Sequence, residues 1–163
     1  MKKILITLII AISSLISFSQ SYEIKRIKDK MTDKEYAIGS KTLLCSEDGK
    51  KGFAVSISWV VNEGKIEYSG ISVVSAGIGN CNESDELIIL FEDNSKYSAV
   101  SWNEFNCKGN SYFDLHSNDF EKVIKMISAI RFENGRTHDS YTFDLKKDKD
   151  FFIDAKKALD KVN

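Results

Sequence analysis

The sequence predicts an α+β domain: a mainly antiparallel β-meander, forming a curved sheet or a two-layer roll, with two helices from the C-terminal half packed on it. Three observations lead to this fold class. Apolar residues alternate with period two through the middle of the chain, which is typical of half-buried strands. The connections between these strands are too short for parallel crossovers, which need a dozen residues or more. Two later segments change to helical spacing.

The first strands surround the clearest alternation in the chain. Residues 22–27 and 36–45 are weaker strand candidates, separated by a turn at 29–33. A strand over residues 53–61 places its large side chains on the odd positions, and Asn62-Glu63-Gly64 supplies the following turn.

The next strand changes face beside a glycine. Ile66 and Tyr68 lie on even positions, whereas Ile71 and Val73 lie on odd positions after Gly70. This change predicts a β-bulge at residues 69–70 within one continuous strand.

The strands of the second half follow from short apolar runs. Residues 87–91 are apolar on both faces, which predicts the central strand of the sheet. A turn at 93–95 leads into a strand at 96–102. Ile130 and Phe132 then predict a short strand that returns, through a turn at Asn134-Gly135, as the alternation Tyr141, Phe143 and Leu145.

Both helices are predicted from apolar stripes. Asn118 and Glu121 resemble a capping box, and the first stripe comprises Phe120, Val123, Ile124 and Ile127. Acidic residues precede the second helix and lysines end it, as the helix dipole favours. Its stripe comprises Phe151, Ala155, Ala158, Leu159 and Val162.

The N-terminus has the pattern of a secretory signal peptide. Lys2 and Lys3 precede a short apolar core, and Ser17 and Ser19 fit the small-residue cleavage positions. We expect cleavage after Ser19, leaving residues 20–163 as a single domain in the periplasm or outside the cell, with no stable membrane insertion. The alternative is an uncleaved membrane anchor, although the unbroken apolar stretch is shorter than the roughly 20 residues that span a bilayer.

Charge and ligand spacing exclude several classes of protein. Lys plus Arg is 23 against 24 Asp plus Glu, so nucleic acid is not an expected partner. The cysteines and histidines do not occur in the closely spaced pairs that are typical of a zinc site. We therefore expect no cofactor or metal. The acidic residues around the last helix have the spacing of a solvated helix start; they are Asp144, Asp148, Asp150 and Asp154.

No catalytic residue can be assigned from motifs. A nucleophile at Cys45 with His116 or His138 as its base remains open, because such groups meet in space rather than in sequence. The context Thr42-Leu43-Leu44-Cys45 favours instead a buried strand cysteine.

Aromatic residues provide the best candidates for a binding surface. Trp102 follows a predicted strand and, with Tyr97 and Tyr112, is a candidate for stacking on a sugar or contacting a protein. The alternative is that these residues form an edge of the core. Trp59 lies on the face of its strand that carries the large apolar side chains, so we expect it in the core.

The sequence also predicts a disulfide between Cys81 and Cys107, with Cys45 reduced and buried. If residues 93–95 form a three-residue hairpin loop, Glu92 faces Lys96, and the same register places Cys81 opposite Cys107. Facing residues are close enough for a disulfide, and export would provide oxidising surroundings. Pairing of Cys45 with either cysteine, or between two molecules, is the alternative.

The arrangement resembles small exported bacterial proteins of uncharacterised function. The resemblance rests on Ser17-Phe18-Ser19-Gln20, on Asn80-Cys81 and Asn106-Cys107 around the meander, and on Ile130-Arg131-Phe132 after a helix. It implies no activity and no site residues.

Two functions follow from these observations. The first is an exported, non-catalytic binding domain, such as an inhibitor, an immunity-type protein or an envelope-associated protein, whose partner is another envelope or extracellular protein, or a glycan. The alternative is a cell-envelope hydrolase that uses dispersed cysteine, histidine and carboxylate residues. A purely structural subunit is less favoured, because lysines around the first strand protect a sheet edge; they are Lys25, Lys28, Lys30 and Lys34.

Overall fold

The computed structural model describes residues 21–46, 51–76, 81–115 and 117–162, with the side chains of these residues apart from 67–69 and 117–119. The signal peptide predicted at residues 1–19, the candidate base His116 and the predicted capping side chain of Asn118 lie outside this description.

Within the described residues the chain forms ten strands and two helices, and every strand pairing is antiparallel. The α+β prediction is therefore confirmed. The elements are β1 (Ile24–Lys28), β2 (Glu35–Gly39), β3 (Leu43–Ser46), β4 (Gly52–Asn62), β5 (Lys65–Ala76), β6 (Glu86–Phe91), β7 (Lys96–Val100), β8 (Asn110–Leu115), α1 (Ser117–Val123), β9 (Ile127–Glu133), β10 (Ser140–Asp144) and α2 (Phe151–Leu159).

The larger sheet has six strands in the order β1-β2-β4-β5-β8, with β3 also paired to β4. Its inner face carries the odd-numbered side chains of β4, all of them buried, as the alternation predicts. The turn between β4 and β5 places Glu63 and Gly64 at φ 48° and 79°, the left-handed pair of a two-residue hairpin loop. The edge strand β1 exposes Lys25 and Lys28, consistent with a protected edge.

The bulge in β5 lies a few residues before the predicted position. The register changes between Val60, which pairs with Tyr68, and Val61, which pairs with Ile66. Glu67 is therefore the extra residue, and the prediction at residues 69–70 was wrong in position. The bulge explains why the apolar residues change from even to odd positions while the strand continues without a break.

The smaller sheet has four strands in the order β10-β9-β6-β7. As predicted for residues 87–91, β6 is an interior strand, but of this second sheet. Its inner face buries Leu87, Ile89 and Phe91, whereas Ile88 and Leu90 are half-buried on the other face.

Two further features of the larger sheet differ from the prediction. Strand β8 was not predicted, because only Phe113 and Leu115 supply its apolar alternation and the third inward residue is Ser111. The single strand predicted at residues 36–45 is divided into β2 and β3, which pair with different parts of β4.

The core lies between the two sheets and continues beneath the helices. Phe53 of the larger sheet packs against Phe132 and Phe143 of the smaller one, with ring centroids 5.6 and 5.5 Å apart. Elsewhere Trp59 meets Phe120 of α1 edge-on at 6.5 Å. Trp59 is therefore a core residue, as predicted.

Both helices are shorter than their predicted stripes. Helix α1 begins at Ser117, before Asn118, and ends at Val123; Ile124 is half-buried, and Ile127 belongs to β9. Helix α2 buries the next aromatic residue, Phe152, as well as its predicted stripe from Phe151 to Ala158. It ends at Leu159, which leaves Val162 exposed beyond it.

Cys81 and Cys107 form a disulfide with Cα atoms 3.9 Å apart, and Cys45 is free and buried. The neighbouring pair Asn82 and Asn106 exchange both backbone hydrogen bonds, at 2.7 and 3.0 Å. The cysteines therefore occupy the next, non-hydrogen-bonded position of an antiparallel pair, where Cα atoms come closest.

The predicted register between β6 and β7 was nevertheless wrong by two residues. Ile88 pairs with Ser98, not with Val100, because the hairpin loop is residues 92–94 instead of 93–95. Asn94 adopts the left-handed φ of 63° that ends such a loop, a conformation that asparagine tolerates better than serine. The longer segment after β7 makes up this two-residue difference before the chain reaches Asn106. Cys107 therefore still lies opposite Cys81.

Non-reducing peptide mapping should recover Cys81 and Cys107 in one cross-linked pair and Cys45 in an unlinked peptide. Replacing both paired cysteines with serine should lower the free energy of unfolding by about 3–4 kcal/mol, because a loop of this size is no longer closed in the unfolded chain. Denaturant titration measures the change. Recovery of Cys45 in a cross-link would contradict the pairing.

Candidate functional site

A shallow groove of about 170 Å³ crosses the outer face of the larger sheet. Tyr36 and Val60 line one side, and Trp102 and Tyr112 line the other. The groove therefore runs between side chains of β2 and β4 and an aromatic pair formed by Tyr112 of β8 and Trp102 beside it. We refer to it as the aromatic groove.

The aromatic pair consists of Trp102 and Tyr112. Their ring centroids are 5.6 Å apart with the planes tilted by 31°, and the side chains are 63% and 40% exposed. The Trp102 N–H donates to the Tyr112 carbonyl at 3.0 Å, and the Tyr112 N–H donates to Asn103 Oδ1 at 2.9 Å. These bonds fix the segment after β7 to the outer edge of β8. The backbone that carries the exposed rings is therefore held in place.

The floor of the groove is formed by small and polar residues. Ser58 of β4 pairs with Gly70 of β5, which in turn pairs with Asp114 of β8. Residues that pair across neighbouring strands face the same side of a sheet. Ser58 and Asp114 therefore lie on one face, on either side of Gly70, which has no side chain. The groove thus has apolar walls and a hydroxyl and a carboxylate along its floor.

The structure brings together two of the three aromatic residues predicted for a binding surface. Tyr97 does not join them: it is half-buried against the core, and its hydroxyl donates to the Asp114 carbonyl at 3.3 Å. Tyr36, which is 36% exposed, was missed by sequence reasoning. The strand order β2-β4-β5-β8 alone places Tyr36 opposite Tyr112, and no local sequence pattern predicts that order.

Asp85 lies buried behind the aromatic pair, with its side chain fully inaccessible. Its carboxylate accepts hydrogen bonds from Asn82 Nδ2 at 2.8 Å, from the Ser111 hydroxyl and from the Gly135 N–H at 3.0 Å. Its backbone N–H donates to Ser101 Oγ, and its carbonyl accepts from the Ser101 N–H, both at 2.8 Å. We call these residues the Asp85 network.

The turn between β9 and β10 completes the Asp85 network. Asn134 Nδ2 donates to the Cys81 carbonyl at 2.9 Å, which connects this turn to the disulfide. At Gly135 a Cβ atom would lie 2.2 Å from the Glu83 carbonyl oxygen, so only glycine allows this close approach. The predicted turn at Asn134-Gly135 therefore has a tertiary role as well as a local one.

The candidate catalytic residues do not form a site in the described part of the chain. Cys45 is 1% exposed on the inner face of β3, and burial raises the pKa of its thiol to about 12. His138 is exposed in the β9–β10 turn with φ 58°. The thiolate that nucleophilic catalysis needs is therefore disfavoured at Cys45.

Neither a metal cluster nor a membrane span is found where the structure describes the chain. In those residues no three His, Cys, Asp or Glu side chains are grouped as metal ligands. Of the acidic residues near α2, Asp154 lies 3.8 Å from Lys41 and 3.5 Å from Lys157. No helix within the described ranges is long and apolar enough to cross a membrane.

Comparison with known proteins identifies no relative. No family model matches the chain, and no curated protein or solved structure matches it significantly. Inference about function therefore rests on the geometry of the chain itself.

Cys45 should resist iodoacetamide at pH 8 in the folded protein and react in guanidinium chloride without reductant, giving a single adduct. Because the folded-state pKa of about 12 lies above the ordinary value of 9.0, the neutral thiol is retained below pH 9. The stability that this thiol provides should fall as the pH rises from 9 toward 12. Mass spectrometry counts the adducts, and modification of the folded protein at pH 8 would contradict the burial of a neutral thiol.

Proposed function

We propose that this chain is an exported, non-catalytic binding domain that contacts its partner through the aromatic groove. The observation that carries the proposal is the Trp102–Tyr112 pair, two large rings exposed side by side at the groove wall. Exposed aromatic clusters are typical of interaction sites, where tryptophan and tyrosine supply much of the binding energy.

The way the pair is held supports binding. Backbone hydrogen bonds join Trp102 and Asn103 to Tyr112, and the residues before each ring, Ser101 and Ser111, bond to buried Asp85. A surface that is ordered before binding loses less conformational entropy when the partner arrives. The aromatic groove is therefore better suited to recognition than single exposed rings on a mobile loop.

Export is supported by two independent features. The first residues have the charge, apolar core and small-residue spacing of a signal peptide. The Cys81–Cys107 disulfide is of a kind that persists in oxidising compartments. We therefore place the protein in the periplasm or outside the cell, with an envelope or extracellular component as its partner.

The hydrolase alternative is not favoured by any observation in the described residues. Its cysteine is buried with a raised pKa, and His138 lies in an exposed turn. Binding through the aromatic groove needs neither residue.

Binding to washed envelopes of the producing cells tests the proposal. The purified, disulfide-bonded protein should sediment with the envelopes, and the double variant Trp102→Ala, Tyr112→Ala should bind at least about 10-fold more weakly, since truncating central aromatic residues costs about 2 kcal/mol or more. The matched control is Phe105→Ala, because Phe105 is also exposed but packs on the Arg136 guanidinium at 4.6 Å.

Circular dichroism and thermal unfolding should show all the variants folded. Equal sedimentation of the wild type and the double variant would overturn the proposal. So would an equally large loss in Phe105→Ala, because the effect would then not depend on the aromatic groove.

A further inference from the structure

We infer that the Cys81–Cys107 disulfide is a redox switch for the aromatic groove: the bond keeps the Trp102–Tyr112 pair ordered, and its reduction releases the pair and weakens binding. This inference rests on the proposed function and specifies how that binding is regulated. The disulfide can act in this way because it closes one end of a short segment whose other end carries Trp102.

The disulfide lies next to the Asp85 network. Asn82, the residue after Cys81, donates through Nδ2 to the Asp85 carboxylate at 2.8 Å, and its backbone exchanges two hydrogen bonds with Asn106. The Cys81 carbonyl accepts a hydrogen bond from Asn134 Nδ2 at 2.9 Å. The covalent bond therefore holds together the same residues that surround the buried carboxylate.

Residues 102–107 connect the aromatic pair to the disulfide. At the start of this segment the Trp102 N–H donates to the Tyr112 carbonyl at 3.0 Å, and Asn103 Oδ1 accepts from the Tyr112 N–H at 2.9 Å. At its end Cys107 is bonded to Cys81. With this end fixed, the open segment has little freedom and its hydrogen bonds re-form readily. Reduction gives the open segment more conformational entropy, so that it opens more often.

The sulfur bridge can be reached by a thiol in solution. Cys107 is exposed and Cys81 is half-buried, whereas Cys45 is 1% exposed on the inner face of its strand. Thiol–disulfide exchange depends on access to the sulfur that is attacked. We therefore expect exchange at Cys107, with Cys45 taking no part while the domain is folded.

The switching reaction is exchange with an external dithiol. A thiolate of the dithiol attacks Cys107 Sγ, the bond between the two sulfur atoms breaks, and Cys81 leaves as a thiolate that takes up a proton. The second thiol of the reductant then attacks the mixed disulfide. Cys107 is released as a thiol, and the reductant leaves as a cyclic disulfide. Two electrons and two protons have passed from the dithiol to the protein.

This switch distinguishes the chain before export from the exported protein. Cytosolic thiols are kept reduced, whereas disulfides persist in oxidising compartments. With export as proposed above, the chain carries two thiols in the cytosol and the disulfide outside it. The aromatic groove is then ordered in the compartment where we place its partner.

Envelope binding and amide hydrogen exchange, each measured with and without dithiothreitol, test the inference. Reduction should weaken sedimentation with washed envelopes of the producing cells at least about 10-fold. It should also accelerate exchange at the Trp102 and Tyr112 amides at least about 10-fold, while the Ile57 amide in β4 changes less. Circular dichroism should show that the reduced protein remains folded.

Two variants separate the disulfide from other thiol effects. The double variant Cys81→Ser, Cys107→Ser should behave as the reduced wild type even without dithiothreitol, which excludes an effect of the reagent on the envelopes. The matched control is Cys45→Ala, which keeps the disulfide and should respond to dithiothreitol as the wild type does.

Equal binding of the oxidised and reduced proteins, or unchanged exchange at the Trp102 and Tyr112 amides, would overturn the inference. So would an equal acceleration at Ile57, because the disulfide would then stabilise the whole domain and not the groove in particular. A failure of the proposed function has a different signature: the oxidised protein itself does not bind the envelopes, which overturns both.

Discussion

The buried carboxylate of Asp85 is the constraint on which the rest of the structure depends. Its partners come from three parts of the chain: Asn82 is three residues away and beside the disulfide, whereas Ser111 on the larger sheet and Gly135 in a turn of the smaller sheet are distant in sequence. All three donors are neutral, so the carboxylate is stabilised by hydrogen bonds and not by an opposite charge. Because a buried polar group without partners is costly, the segments that supply these donors must assemble together.

The same network connects the interior to the aromatic groove. Ser101 and Ser111 face inward and bond to Asp85, while the residues that follow them, Trp102 and Tyr112, face solvent. Since successive residues of an extended chain point to opposite sides, fixing each serine also fixes the ring next to it. The polar interior thereby positions an apolar surface, the one through which we propose that the domain contacts its partner.

Sequence reasoning succeeded where the signal was periodic and local. Three features depend on neighbouring residues alone, and all three were predicted. They are the alternation of β4, the turn at Glu63-Gly64 and the apolar stripe of α2. The register between β6 and β7 depends on which loop residue adopts the left-handed conformation. That residue is Asn94, and the register therefore differs by two positions from the predicted one. Trp102 and Tyr112 could be proposed from composition and position, but neither Tyr36 nor Asp85 could. Their roles depend on strand order and on contacts between distant segments, which have no local signature.

The central claim is that Asp85 holds the aromatic pair in place, and amide hydrogen exchange in the Asp85→Asn variant tests it most directly. Asparagine keeps the shape of the side chain but brings a donor to a position surrounded by donors. The account predicts that exchange at the Ser101, Trp102, Tyr112 and Gly135 amides accelerates together by at least about 10-fold, equivalent to roughly 1.4 kcal/mol of local stability, while the Ile57 amide in β4 changes less. Unchanged protection at these four amides, or an equal acceleration throughout the protein, would contradict it.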